Sequence, residues 1–182
     1  KNKKIIKKIS KLLINRRVLN SNLKKTHIKF NSQLIELLKK EEKIKNFLRE
    51  NFIQKMFFVH NRLFIYSELK SLQKNKKWVF YKKILIEDII GNPVRYFLFP
   101  ISSGNKINHV FHLSLLIDEF NINLKKIKNV FEFGGGYGCM ARIFSKINKK
   151  IKYTCFDTFY VNILQFYYLA NNNLNVGFKK KK

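Results

Sequence analysis

The chain has 182 residues, 46% of them hydrophobic, so it can build a packed core and does not have the composition of a disordered polypeptide. Its formal net charge is +27, which raises the question of a nucleic-acid or anionic-membrane partner. The favoured residues, Lys, Asn, Ile and Phe, are encoded by A/T-rich codons, and Arg is scarce beside Lys. Base bias therefore accounts for the charge. Nucleic acid is not expected as a partner, although a basic nucleic-acid-binding protein stays open as an alternative.

Cysteine content and hydropathy bear on location. Cys139 and Cys155 have no partners at metal-ligand spacing, and two thiols in a cysteine-poor chain are typical of a reducing compartment. We therefore expect a cytoplasmic protein without a metal site. No apolar run approaches the ~20 residues that span a bilayer, so no transmembrane segment is predicted. The chain begins with Lys1 and ends on a lysine run, which leads us to expect a piece of a longer protein.

Residues 1–90 are predicted to form a mainly α-helical N-terminal region. The basic residues 1–18 lack aromatic anchors, so we expect a solvated helix rather than one lying on a membrane. Residues 32–50 place apolar side chains at helical spacing, with Ser32 as the N-cap. Residues 52–73 predict a second helix whose aromatic-rich face packs on a neighbouring helix. That face consists of Phe52, Met56, Val59, Leu63 and Tyr66.

A connecting segment and one helix are predicted for residues 91–128. The run at 82–90 is short, helical or extended, and we expect it to end where Gly91 caps it and the nearby proline cannot continue a helix. Two prolines and a turn-forming SSGN stretch indicate loop or short strand over residues 93–105. Residues 106–120 then return to helical spacing.

Residues 129–182 predict the start of a parallel sheet. Residues 129–133 and 151–156 have the composition of strands, and helices are expected over 139–147 and 159–170. This alternation is typical of α/β folds whose parallel sheet binds ligands at the carboxyl ends of its strands. We therefore predict an α/β protein, with a parallel sheet after the helical region.

The stretch FEFGGGYGCMARIF, residues 131–144, contains the end of the first strand, a glycine-rich loop and the start of the helix that follows. Glycine permits positive φ and lets a ligand lie against the backbone, and the free N–H groups of the following helix favour an anionic group. Asp157 ends the second strand, nineteen positions after Gly138, where a carboxylate can accept hydrogen bonds from both ribose hydroxyls. Together these features predict a nucleoside-containing cofactor.

Two cofactors fit this prediction. Gly136, Gly138 and Ala141 match the dinucleotide-binding fingerprint, which favours NAD. Glu132 stands before the loop, where a carboxylate would be repelled by a pyrophosphate but attracted by the ammonium and sulfonium groups of S-adenosylmethionine. Glu132 therefore favours S-adenosylmethionine, and an NAD-dependent Rossmann enzyme is the alternative.

This loop and the later stretch YTCFDTFYVNILQFYYLA resemble class I S-adenosylmethionine-dependent methyltransferases. More narrowly, the chain is similar to sugar O-methyltransferases of bacterial polysaccharide clusters, which carry an EIGGGYG-like loop and a Gln-x-Tyr-Tyr-Leu-like stretch, here QFYYL at residues 165–169. The resemblance covers residues 88–175. It implies that residues 129–182 are the truncated start of a Rossmann-like cofactor-binding domain with a parallel sheet. It also implies methyl transfer to a sugar hydroxyl of a small-molecule or glycan acceptor.

The resemblance also implies roles for single residues. Glu132 would lie near the amino group of the cofactor, and Asp157 would hold its ribose hydroxyls. Gly134, Gly136 and Gly138 would form the floor under the methionine part, with Gly135 and Tyr137 as the other cofactor-binding residues of the loop.

His109 is the candidate catalytic base, because histidine titrates in the useful range. The alternative is a satisfied histidine on a packed helix. His112 would share its face, but no carboxylate ligand set accompanies the pair, so no metal is predicted. Two strands make up only part of a class I methyltransferase sheet, and the adenine- and acceptor-binding segments would lie beyond the chain. We therefore expect the chain by itself to be inactive or nearly so.

Overall fold

The structure is a computed structural model that describes residues 2–14, 25–57 and 63–178, without the side chains of residues 25–27 and 125. The described residues form a mixed α/β structure, in which helices predominate and two small two-stranded sheets are present. One sheet is antiparallel and the other parallel. The predicted α/β class is confirmed at this level. None of the described helices is long and apolar enough to cross a membrane.

The N-terminal helices of the described part are α1 (Asn2–Ile14), α2 (Lys25–Lys39), α3 (Glu41–Lys45), α4 (Asn51–Phe57), α5 (Leu63–Lys74) and α6 (Trp78–Leu85), with a 3-10 turn at Phe47–Arg49. The single helix predicted for 32–50 is therefore divided at Lys40. Ser32 is not an N-cap, because it lies inside α2 and its hydroxyl donates to the carbonyl of Ile28 at 3.0 Å. The predicted apolar face is nonetheless buried, and its members are Leu34, Leu37, Leu38, Ile44 and Leu48.

The first helix is packed rather than solvated, so that prediction was wrong. Ile5 and Ile9 of α1 are buried, and α1 packs against a C-terminal helix, α9 (Phe159–Asn171). Lys8 extends its ammonium over the ring of Phe166 at 4.6 Å from the ring centroid. Leu12 and Leu13 of α1 are partly buried against the same core, and α9 can cover this short apolar face because it is apolar on most of its circumference.

The aromatic face predicted for residues 52–73 is also wrong. The segment is divided between α4 and α5, and Val59 lies outside the described residues. Leu63 is 88% exposed, Met56 54% and Tyr66 44%, so among the described members of this face only Phe52 packs against the core. An aliphatic stripe at helical spacing takes the core position instead, and it consists of Ile65, Leu69 and Leu72.

A short hairpin and a long helix form the middle of the chain. Strands β1 (Arg95–Tyr96) and β2 (Phe99–Ser103) pair antiparallel, and α7 (Gly104–Glu119) follows directly. Ser103 is the N-cap of α7, since its Oγ accepts from the backbone N–H of Lys106 at 3.2 Å. The predicted strand and helix are confirmed. Gly91 caps no helix, because α6 ends before it, at Leu85; it occupies a turn at φ +84°.

The parallel pair is formed by β3 (Asn129–Phe133) and β4 (Lys152–Phe156), connected through α8 (Cys139–Ile147). Each element predicted for this region exists, with bounds that agree to within one residue. Phe133 and Phe156 are register partners at the carboxyl ends of the strands. The residues that follow these ends, Gly134 and Asp157, therefore lie at the same edge of the sheet.

One hydrophobic core crosses the predicted boundaries at 90/91 and 128/129. Phe47, fully buried after α3, packs edge-on against Tyr137 of the glycine loop at 5.8 Å between ring centroids. It makes similar contacts with Tyr167 and Tyr168 of α9. The division into three segments stays a prediction, but the described helices before α7 share their core with the parallel pair.

A buried ionic cluster ties the segment after α6 to α7 and α8. The side chain of Lys106 is fully buried, with its ammonium 2.5 Å from Glu87 and 3.1 Å from Asp88. Burial by itself would lower the pKa of Lys106, but the two carboxylates outweigh burial and raise it, so the residue stays charged. Arg142 of α8 also binds Asp88, at 2.7 Å. The cluster holds the first turns of α7 and α8 beside each other.

Candidate functional site

The glycine loop between β3 and α8 adopts left-handed backbone at three positions. The φ angles are +67° at Gly134, +55° at Gly136 and +97° at Gly138. The N–H of Gly134 donates to the carbonyl of Phe156 at 2.9 Å and so extends the pairing with β4. The N–H of Gly138 closes the turn onto the carbonyl of Gly135 at 3.0 Å. The sequence expectation that glycine serves positive φ here is confirmed.

A cavity of about 300 Å³ opens beside this loop. That volume is at the lower end of the ~300–1,000 Å³ typical of small-molecule sites. Its lining brings together the predicted residues Glu132 and His109 with most of the loop. The full lining is Met56, Phe57, Asn105, His109, Glu132, Gly134, Gly135, Gly136, Tyr137 and Cys139.

Glu132 contributes the carboxyl group of the cavity. It is partly buried, and within the described residues it forms no ion pair with a lysine or arginine. Burial raises its pKa, and the nearby charge of Asp157 adds to the rise, while the hydroxyl of Tyr153 and the thiol of Cys155 oppose it. A carboxylate without a counter-ion in this position would attract a cationic ligand, which would stabilise its charge.

The carboxyl group of Glu132 lies against the bare α-carbon of Gly135. A Cβ placed on Gly135 would lie 2.5 Å from Oε2 of Glu132. The absence of a side chain therefore lets the carboxyl group rest against the loop. Gln165 of α9 holds the next residue from the other side, since its Nε2 donates to the carbonyl of Gly136 at 2.9 Å.

His109 has one ring nitrogen engaged within its own helix. Its Nδ1 lies 2.7 Å from the carbonyl oxygen of Asn105. A carbonyl can only accept, so Nδ1 carries the hydrogen and Nε2 keeps the lone pair in the neutral ring. Burial lowers the pKa of His109, which favours that neutral form. His112 bonds with Asn108 at 3.3 Å instead and does not line the cavity.

Asp157 lies beside the loop rather than in the cavity wall. Its Oδ1 accepts from the backbone N–H of Thr158 at 2.7 Å, and the N–H of Gly136 also bonds to its carboxylate. Burial raises its pKa, although these two N–H groups work against the rise. Gly138, the N-cap of α8, is likewise outside the lining. These two predicted residues border the cavity without facing it.

Four lining residues were not predicted from the sequence. Asn105, fully buried, donates from Nδ2 to the hydroxyl of Tyr137 at 2.9 Å, which joins the helix of His109 to the glycine loop. Its position one turn before His109 was the only signal for it. Cys139 is the first residue of α8, where burial raises the pKa of the thiol to about 12 and leaves it unreactive. Met56 and Phe57 come from the helical region, and nothing in their local sequence pointed to a site.

Within the described part of the chain, no three histidine, cysteine, aspartate or glutamate side chains are grouped as a metal site. The ionisable groups that line the cavity are Glu132, His109, Tyr137 and Cys139, and burial raises the pKa of both the tyrosine and the thiol. Glu132 is therefore the principal source of charge in the lining. No protein-family model, curated protein or solved structure matches this chain.

Proposed function

We propose that this chain carries the cofactor-binding part of an S-adenosylmethionine-dependent methyltransferase with a Rossmann-like sheet. The observation that supports the proposal best is Glu132, a partly buried carboxyl group without an ionic partner among the described residues, beside a left-handed glycine loop. A site of this charge suits a cation and repels a pyrophosphate. The acceptor class, a sugar hydroxyl, comes from the sequence resemblance.

Three residues would take part in holding such a cofactor. Glu132 would accept from its amino group, which would supply the missing counter-ion. No heavy atom lies within 4 Å of a Cβ built on Gly134, so a ligand could rest on the backbone there. Asp157 would hold the ribose hydroxyls as its bond with Gly136 adjusts.

When bound, S-adenosylmethionine supplies a methyl group activated by a positively charged sulfur. The contribution of the protein is alignment and removal of a proton. His109 would accept the proton of the acceptor hydroxyl at Nε2, since Nδ1 already donates to Asn105. The buried hydrogen bond between Asn105 and Tyr137 would hold His109 at a fixed distance and orientation from the glycine loop.

Glu132→Gln tests the proposal directly. A hydrogen bond to a charged group contributes roughly 1.5–3 kcal/mol, so titration calorimetry should show about 10- to 100-fold weaker binding of S-adenosylmethionine. Binding of NAD should be unchanged or improved in the same variant, because a negative charge is removed. Thermal melting without ligand should be unchanged or slightly raised, because the raised pKa of Glu132 means that its ionised form destabilises the fold near neutral pH.

The matched control is Glu36→Gln, which removes an exposed carboxylate paired with Lys40 on α2. It should leave both affinities unchanged. Equal binding of S-adenosylmethionine by wild type and Glu132→Gln, or a wild-type preference for NAD, would contradict the proposal.

Binding of the cofactor should weaken as the solution is acidified. Protonation of Glu132 removes the attracting charge, and its raised pKa moves that loss toward higher pH. Protonation of His109 adds a repelling charge, and its lowered pKa confines this effect to more acidic solution. Affinity should therefore rise with pH and reach its constant, highest value by about pH 8, where both groups have lost their protons. Calorimetry across that range should show a much flatter profile for Glu132→Gln, and a full pH dependence in that variant would oppose this assignment.

A further inference from the structure

Phe57, at the end of α4, lies directly against the glycine loop. A Cβ built on Gly136 would stand 3.3 Å from Cδ1 of Phe57, so the ring packs on the bare α-carbon. Phe57 lines the same cavity as Glu132. One wall of the cavity is thus an aromatic ring and another is a carboxyl group.

The ring of Phe57 is held by a small aromatic cluster. Phe30 of α2 meets Phe57 edge-on at 5.6 Å between ring centroids, with 82° between the ring planes. Phe30 also meets Phe52 at 5.8 Å. Phe57 lines the cavity, whereas Phe30 and Phe52 stand behind it. Phe30 therefore supports the ring of Phe57 at the cavity, whereas Phe52 packs on the other side of this contact, against Phe30, and is a control for the loss of a phenyl ring outside the lining.

The face of an aromatic ring carries negative electrostatic potential and attracts a cation within about 6 Å of its centroid. A neutral thioether sulfur lacks this attraction of a charge to the ring and keeps only the contact between a polarisable sulfur and the aromatic ring. Neither lysine nor arginine occurs in the described lining, so nothing there competes with a ligand cation for the ring or for Glu132. Accepting the function proposed above, we propose that Phe57 is a specificity-determining residue that distinguishes the sulfonium of the methyl donor from the neutral thioether left after methyl transfer.

The ratio of two affinities measures this role. Calorimetry on the full chain would compare S-adenosylmethionine with S-adenosylhomocysteine, which differ in the methyl group and the positive charge on sulfur. Phe57→Leu keeps an apolar wall and removes the ring. It should weaken S-adenosylmethionine by roughly 3- to 10-fold and S-adenosylhomocysteine by less than about 2-fold. Phe57→Tyr keeps a ring and should show the wild-type ratio of the two affinities. Phe52→Leu should leave both affinities as in the wild type.

A cationic analogue with an ammonium in place of the methylated sulfur should follow S-adenosylmethionine through the series. An equal loss for charged and neutral ligands in Phe57→Leu would overturn the inference and leave the ring as a simple wall. Unchanged affinities for both would overturn it as well. A wild-type chain that binds neither ligand would overturn the proposed function and this inference with it. That result is distinguishable from an equal loss of affinity for charged and neutral ligands in Phe57→Leu, which would overturn this inference alone.

Discussion

Replacing Lys106 by methionine is expected to lower the free energy of unfolding by roughly 3–5 kcal/mol, the range typical when one partner of a buried ion pair is removed. The ammonium of Lys106 is fully buried between Glu87 and Asp88. Asp88 keeps Arg142 and Lys146 in the variant, but Glu87 loses its cation and keeps only neutral donors, such as the hydroxyl of Ser103. Methionine fills a similar volume, so the loss reports the stranded charge rather than a cavity.

Urea unfolding followed by circular dichroism would measure this loss. Lys77→Met is the matched control, because Lys77 pairs with Asp118 on the surface and should cost no more than about 1 kcal/mol. Adding Glu87→Gln to Lys106→Met should recover part of the lost stability, since the uncompensated charge is then removed. Equal losses in the two lysine variants would mean that the buried cluster contributes no more than a surface pair.

Gly91→Ala is expected to destabilise the protein by roughly 2–5 kcal/mol, as the sum of a left-handed backbone penalty and an overpacking penalty. Gly91 has φ +84°, and its Cβ would lie 2.3 Å from Cε1 of Phe47. Phe47 cannot easily withdraw, because it is fully buried against Tyr137, Tyr167 and Tyr168.

Gly134→Ala separates the two contributions to that loss. Gly134 also has positive φ, at +67°, but no heavy atom lies within 4 Å of its Cβ position. Gly134→Ala should lower the free energy of unfolding only by the penalty for left-handed backbone, about 1–2 kcal/mol. Thermal and urea unfolding of both variants would give the difference, and equal losses would contradict a steric role for Phe47. Because Phe47 contacts Tyr137, Gly91→Ala should also weaken ligand binding at the glycine loop, although Gly91 is outside the cavity lining.

The parallel pair was the most predictable part of the chain. Strand β3, helix α8, strand β4 and helix α9 follow from composition and spacing within short windows, and the structure has them within one residue of the prediction. Local patterns are sufficient here because turn residues bound the strands, α8 has a single apolar stripe, and α9 is a largely apolar run of helical length. The positive φ angles of the loop follow in the same way, since glycine is the residue that adopts them without strain.

The helical region was less predictable because its sequence offers more than one apolar stripe. In α5 both an aromatic and an aliphatic stripe are compatible with a buried face, and only packing against α7 selects Ile65, Leu69 and Leu72. The burial of α1 likewise depends on α9, which is far from it in sequence. Ser32 has the chemistry of an N-cap but lies inside a helix that begins earlier.

The sequence by itself determined the order of the α/β elements, the left-handed glycine loop and the presence of Glu132 before it, because these depend on neighbouring residues and on the chemistry of single side chains. Tertiary structure alone decided which groups meet at the cavity. Phe57 and Asn105 reach it from separate helices, while Asp157 is drawn aside by the N–H groups of Gly136 and Thr158. Such meetings depend on contacts between residues distant in sequence, and no local period or propensity encodes them.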